Sequence, residues 1–283
     1  MPQLISRLGS VSIAPVDGDH QSGGRICRVD HLLRATADAE ARHFWFRGFR
    51  FFVGPLLKQA TRGVSDVCLL DCGCGTGANV AWLETFGRAY GFDLSDTGLQ
   101  IGHELGRRRL VRASVTAVPF PGNAFDVVTS FDVIYSLDTF DEQAAIAEMY
   151  RMTKPGGFVI INVAAMECLR GAHSVLSREV RRYSRAGLRQ LLTSVGFSIV
   201  RLTYTNAVLF PPMFVGRAIQ RLRGLSMEDE KLTGEITVPS GPINTLLTVA
   251  LRLESVWLRA FDNPFGSSLL CLARKPGPAE RPT

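Results

Sequence analysis

The sequence predicts an α/β protein with a doubly wound, mostly parallel sheet of seven strands, an N-terminal helical segment and a helical insertion before the last strand. Three observations predict it. Strand-like and helix-length segments alternate six times between residues 67 and 204, and parallel neighbours need crossover connections of that kind. A loop with glycine at every second position follows the first strand and opens a helix, in "LLDCGCGTGANVAWL" (69–83). The rhythm then breaks for some sixty residues before a final strand-like run, "SSLLCLARK" (267–275).

In chain order, residues 1–25 are polar and aperiodic and read as a loose arm. From Ala35 to Lys58 the pattern turns helical, and "RHFWFRGFRFF" crowds Phe44, Trp45, Phe46, Phe49, Phe51 and Phe52 together. The strands are "VCLL" (67–70), "RAYGF" (88–92), "LVRAS" (110–114), "FDVVTSF" (125–131), "GFVIINV" (157–163) and "FSIVRLTY" (197–204), short apolar runs between turn residues. Helices fill 78–86, 96–106, 140–152 and 184–195. "KPGG" (154–157) is turn chemistry, with Pro155 stopping a helix and the glycines permitting the bend. In the insertion, "PPMFVGRAIQRLRGL" (211–225) enters a helix on prolines and places Phe214, Val215, Ala218, Ile219 and Leu222 on one face. "PINTLLTVALRLESVWLRAF" (242–261) is a second, more apolar helix, in which Arg252, Glu254 and Arg259 argue against a membrane span. The expected organisation is an arm with a helical cover (1–64), a core (65–205), the insertion (206–266), and the last strand with a tail (267–283).

Composition bounds the function. With 46% hydrophobic and 20% charged residues, the chain has material for a substantial core and is not a disordered polyelectrolyte. No run of 18 apolar residues occurs, and the N-terminus has no basic segment leading into an apolar stretch, so a cytoplasmic protein is expected. Six cysteines, several of them in apparent core strands, read as reduced thiols. Cys68, Cys72 and Cys74 lack the Cys-x-x-Cys pair or nearby histidine that would complete a zinc site. Residues 151–223 carry twelve Lys or Arg against two acids, although the whole chain is only +6. Such a stretch fits nucleic acid, a membrane surface, an anionic substrate or a solvated helix face.

The glycine loop selects among cofactors through its neighbours. The string from Gly73 to Ala78 also satisfies the dinucleotide fingerprint. Asp71, two residues before the first glycine, would repel a pyrophosphate and welcome an ammonium or sulfonium. Asp93 follows 22 residues later, the distance at which an acid reaches a ribose diol in either case.

Together, "LLDCGCGTG", "GFDLS", "VPFPGNAFDVVTSFDVIYSL" and "MYRMTKPGGFVIINV" resemble, in order and spacing, the motifs of class I S-adenosylmethionine-dependent methyltransferases, most of all the type 11, small-molecule branch. The resemblance covers about residues 65–205 plus the final strand and implies a Rossmann-like fold with S-adenosyl-L-methionine as cofactor. It implies that Gly73 and Gly75 line the methionyl part, Asp71 steers its ammonium and Asp93 binds ribose. Leu94, Ser114 and Val115 would stand by the adenine, and Phe131 and Asp132 near the transferred methyl. Trp45 and Arg47 would cover the cofactor from the N-terminal helix, with Arg47 pairing the methionyl carboxylate. Two departures stand out: Ser114 replaces a frequent aspartate, and Tyr135-Ser136 replaces a frequent Glu-His after Asp132.

Candidate bases are therefore His173 and Tyr183, after the fifth strand, and His43. The expected acceptor is a small, largely apolar or lipid-linked molecule under the insertion helices, oriented by arginines such as Arg181 and Arg182. The plainer reading is that those helices pack on the core or form a homodimer interface; the sharper one is a lid over the acceptor, or peripheral membrane contact beside a lipid-linked one. Three rivals remain open: a nucleic-acid methyltransferase, disfavoured because "DVIY" (132–135) lacks the prolines of base-amino methylases; a nicotinamide oxidoreductase, disfavoured by Asp71; and a non-catalytic cofactor-binding module.

Overall fold

The computed structural model describes residues 39–170, 179–222 and 238–278. Its seven-stranded sheet comprises β1 (Cys68–Cys72), β2 (Arg88–Asp93), β3 (Leu110–Arg112), β4 (Phe125–Phe131), β5 (Thr153–Ala164), β6 (Ser198–Thr205) and β7 (Ser268–Arg274). The strand order is β3-β2-β1-β4-β5-β7-β6. β1 pairs in parallel with β2 and β4, and β7 runs antiparallel between β5 and β6. Strand order reverses at the β1/β4 pair, where open α/β sheets form a crevice beyond the carboxyl ends of their strands.

Both faces of the sheet are covered, which is why its strands read as near-continuous apolar runs. Leu70, Val128, Ile161 and Leu269 enter one core, and their neighbours Leu69, Val127, Ile160 and Leu270 enter the other, as the strand period of two requires. Each such fully buried aliphatic side chain contributes about 1.5–3 kcal/mol. The first core is closed by α4 (Thr139–Met152) and α5 (Arg185–Ser194), through Ile146, Met149, Leu188 and Leu192. The second is closed by α1 (Phe44–Ala60), α2 (Ala78–Leu83) and α3 (Asp96–Glu104). Helix starts follow side-chain caps: Ser95 accepts from the Gly98 amide, Asp138 from Asp141 and Ser184 from Gly187.

Three expectations are revised. The N-terminal helix proper starts at Phe44, after a turn at Glu40–Arg42, because His43 caps it. Lys154-Pro155-Gly156 forms a bulge inside β5 rather than a turn ahead of it: the register with β4 jumps between Phe125/Thr153 and Val127/Phe158. The insertion contains α6 (Phe210–Leu222) and α7 (Gly241–Trp257), but α7 presents its apolar side outward. Its buried side carries Asn244, Thr248, Leu251, Glu254 and Ser255 against α1, while Ile243, Leu246, Val249, Leu253, Val256 and Trp257 face solvent. Hydrogen bonding explains the inversion. Asn244 accepts from the Phe44 amide at 2.8 Å and donates to Arg42 O at 2.9 Å, and Glu254 accepts from the Ala207 amide at 2.9 Å and Asn263 Nδ2 at 2.8 Å.

Candidate functional site

The crevice beyond β1 is built by the glycine loop. Gly73, Gly75 and Gly77 all take left-handed conformations, φ +76, +54 and +78, which side chains rarely tolerate. The loop stays open where it matters: a Cβ at Gly75 would meet nothing within 4 Å. Asp71, 1% exposed, lies in the strand just before it. Thr129 Oγ1 donates to its Oδ1 at 2.7 Å, whereas Oδ2 is buried without a partner. Burial pushes this carboxyl up to about 7, against the Thr129 hydrogen bond and with a further push from Asp93. A buried carboxylate with an idle oxygen at the wall of a glycine cradle lacks a cation. The methionyl end of S-adenosylmethionine, bearing an ammonium and a sulfonium, fits that requirement; a dinucleotide's pyrophosphate does not.

Asp93 ends β2 and fixes the loop from the other side. Its Oδ2 accepts from the Gly75 amide at 2.7 Å and its Oδ1 from the Ser95 amide at 2.8 Å. A carboxylate has about four acceptor sites, so a diol can still be held by the remaining lone pairs. Leu94 is exposed beside it, and Val115 is buried. Ser114 Oγ lies 2.8 Å from Thr116 Oγ1. A separate shallow surface groove of about 740 Å³ is lined by Thr116–Pro121 with Glu148 and Arg151, and not by Asp93, Leu94, Ser114 or Val115.

Helix α1 forms the third wall. Phe49 meets Phe131, the last residue of β4, edge to face at 4.8 Å and reaches Trp82 at 6.5 Å. Trp45, Phe49 and Phe52 roof a cavity whose floor is Asn162, Thr205, Asn206 and Ser268. At about 10 Å³ it holds one water at most. Asn162 Nδ2 donates to Asp132 Oδ1 at 3.1 Å, placing Asp132 at the rim. Asp132 caps no α-helix; Asp138 caps the one that follows. Arg47 is exposed on the same helix. Asp132, Met166 and Asn206, which follow β4, β5 and β6, have φ +59, +60 and +61. Asn and Asp visit this region readily, while for Met it stores strain of about 1–3 kcal/mol, a feature that clusters at functional sites.

The candidate bases do not assemble. His173 lies outside the described residues. Tyr183 is buried, donates to Glu142, and its phenol is pushed well above its ordinary range by burial and that carboxylate. His43 Nδ1 accepts from the Trp45 amide at 3.1 Å, and burial lowers its pKa. The proton of neutral His43 therefore sits on Nε2, and Nδ1 is already spent on the cap. Nor do Arg181 and Arg182 await an anion, as the sequence suggested: Arg181 Nη1 binds Glu142 Oε2 at 2.8 Å, and Arg182 forms a buried pair with Glu179. Much of the basic stretch is neutralised in this way, Arg151 by Glu148, Lys154 by Asp126 and Arg201 by Asp262.

Sequence reasoning missed Glu40. This buried carboxyl bonds Thr76 of the glycine loop and interacts with Arg107 and Arg50; burial raises its pKa despite both cations. Arg107 Nη1 donates to Thr76 O at 2.6 Å. The entrance to α1 is thus tied to the loop, through an acid upstream of the aromatic run that no spacing rule marks. Asn162 and Asn206 were also missed, since each reads as an ordinary strand-end residue.

The family described as Methyltransferase domain matches residues 70–161. A ubiquinone/menaquinone biosynthesis C-methyltransferase of Shewanella piezotolerans is 33% identical over 100 residues, 32% of this chain and 37% of that protein. A demethylmenaquinone methyltransferase of Geobacillus kaustophilus is 34% identical over 101 residues, 32% of this chain and 42% of that one. The chain thus spans about two fifths of the length of these curated relatives. Among solved structures, a chain of the Haloferax volcanii complex between the Trm112 methyltransferase activator and a methyltransferase superposes with TM-score 0.56 at 17% identity, covering 88% of this chain and 96% of that one. Haemonchus contortus phosphoethanolamine N-methyltransferase 2, in complex with S-adenosyl-L-methionine, gives 0.56 at 17%, covering 87% and 57%. These likenesses establish the fold.

Proposed function

We propose that this chain, whose residues 70–161 match the family described as Methyltransferase domain, is a class I S-adenosylmethionine-dependent methyltransferase that transfers a methyl group from S-adenosyl-L-methionine to a small, largely apolar or lipid-linked acceptor. The observation that carries this reading is the idle, buried Oδ2 of Asp71 beside the open Gly75 cradle. The two quinone-pathway relatives support an acceptor with a ring and an isoprenoid-like tail.

When bound, the cofactor supplies an electrophilic methyl on a sulfonium. Asp71 holds the ammonium end, Gly73 and Gly75 admit the methionyl chain against the backbone, and Asp93 holds the ribose while keeping its grip on the Gly75 and Ser95 amides. Leu94, Ser114 and Val115 border the adenine. Phe131 and Asp132 face the acceptor side, with Asn162 fixing the carboxylate of Asp132. Trp45, Phe49 and Phe52 exclude water there, and Arg47 covers the carboxylate end. Displacement at a methyl depends mostly on alignment in a dry cavity, and an electron-rich ring carbon needs no strong base. That suits a site where His43 and Tyr183 are engaged elsewhere. The roof must lift to admit an acceptor, because its cavity is far smaller than a ligand pocket of roughly 300–1,000 Å³.

Calorimetry with S-adenosylhomocysteine and with NAD tests the reading. Micromolar binding of the first and none of the second is expected, with product then sought on prenylated quinols; equal binding of NAD refutes it. The paired arginines of the basic stretch disfavour a nucleic-acid acceptor, which needs a broad exposed cationic track.

A further inference from the structure

We propose that the outward face of α7 docks the protein onto the surface of a bilayer containing anionic phospholipid. Ile243, Leu246, Val249, Leu253, Val256 and Trp257 recur every three or four residues and so form one stripe along the helix. All are about half exposed or more, with Leu246 and Leu253 at 68% and 66%. A continuous stripe of this kind, unlike scattered single residues, marks an interaction surface. Phe261 extends it past the helix end, stacked on Trp257 at 4.3 Å, and the amphipathic indole of Trp257 favours the headgroup boundary.

Charge chooses the occupant. Arg252 and Arg259 are exposed on this segment, and its single acid from 238 to 261, Glu254, is buried and bonded to the Ala207 and Val208 amides. Apart from Ser240 and Thr245, the exposed side therefore offers apolar and cationic groups, and the exposed acid that follows Phe261, Asp262, is already paired with Arg201; this is the pattern of a helix lying in an anionic interface. A second copy fits worse: a two-fold contact through this stripe gathers Arg252 and Arg259 of both chains, and the adjoining acid, Asp262, is already engaged by Arg201. Among the described residues no helix is long and apolar enough to cross a membrane, so α7 lies on the surface rather than spanning it.

The underside of α7 connects this face to the site. Leu251 packs on Gly48, and Asn244 grips the start of α1, the helix whose Trp45 and Phe49 roof the cavity. The cavity thus sits one helix layer from the docked bilayer. Delivery of an apolar acceptor by this route rests on the proposed function; the docking itself does not.

The test is sedimentation of the full chain with vesicles of phosphatidylcholine alone and of phosphatidylcholine mixed with phosphatidylglycerol. Binding to the mixed vesicles only is expected, weakened roughly thirtyfold in R252Q/R259Q. It should be lost in L246E/L253E, with circular dichroism and S-adenosylhomocysteine binding retained. No binding to mixed vesicles, or full binding by both variants, overturns the proposal. So does a dimer in ultracentrifugation that L246E/L253E splits without any vesicle binding by the parent, since the stripe is then a contact between copies. A chain that binds vesicles but not S-adenosylhomocysteine sinks the cofactor reading and leaves the docking intact.

Discussion

Replacing Asp71 with Asn should stabilise the free protein near pH 8 and weaken its grip on the cofactor. The Asp71 carboxyl sits at about 7 in the folded chain, some three units above the ordinary aspartate value. Below pH 4 it is protonated both folded and unfolded and costs nothing extra. As pH rises from about 4 to about 7 the unfolded chain ionises first, and stability drains away at about 1.4 kcal/mol per unit, to a total of roughly 4 kcal/mol. Asp71→Asn escapes that loss and keeps an acceptor for Thr129, but its Nδ2 takes the idle position at a cost of about 1–3 kcal/mol. The variant should therefore gain ~1–3 kcal/mol over the parent near pH 8 in urea unfolding and lose about 1–3 kcal/mol near pH 4, where the parent carries no such penalty. S-adenosylhomocysteine should bind it more weakly by about 1.5–3 kcal/mol, the worth of a charge-assisted contact. In the parent, binding should expel a proton below pH 7 and weaken about tenfold per unit as pH falls toward 5. A variant no more stable at pH 8, or a parent affinity flat between pH 5 and 8, would refute the reasoning.

Two further substitutions separate structure from chemistry. His43→Ala should cost ~1 kcal/mol of stability through loss of the α1 cap and leave the pH dependence of turnover unchanged; loss of the acid-side limb of the rate profile would reinstate His43 as a base. Gly48→Ala would set a Cβ 2.2 Å from Leu251 Cδ1 and 3.0 Å from its Cβ, so crowding of about 1–3 kcal/mol should outweigh the ~0.5–1 kcal/mol that alanine gains in a helix; thermal denaturation should register a net loss, and a clear rise in midpoint would mean that α7 does not rest on α1 in solution.

The parts of this molecule legible in its sequence are those set by local spacing. Asp71, Gly73 and Gly75 lie within five residues, and Asp93 is one crossover away, so the cradle could be read without knowing where the rest of the chain goes. The α7 helix shows the limit. Periodicity reveals that 242–261 has two unlike faces, but which one is buried depends on partners some two hundred residues distant, such as the Phe44 amide that Asn244 caps. The same holds for Arg181 and Arg182, whose acids are supplied partly by a different helix, and for Glu40, whose role exists only because α1 folds back over Thr76. The left-handed Met166 has no sequence signal at all, because nothing about methionine announces the conformation it is held in.

The position of β7 has a consequence for how the molecule is made. Hydrogen-bonded on one side to β5 and on the other to β6, it fills the gap between them. Until residues 268–274 have left the ribosome, both neighbours present open edges, and β6 has no partner in the sheet at all. The cradle strands β1, β2 and β4 can pair long before that moment, so the nascent chain would own a cofactor cleft while its far flank is still adhesive. Ligand present during synthesis would then bind a half-built protein and hold it soluble, as anything that binds only structured chain does by mass action.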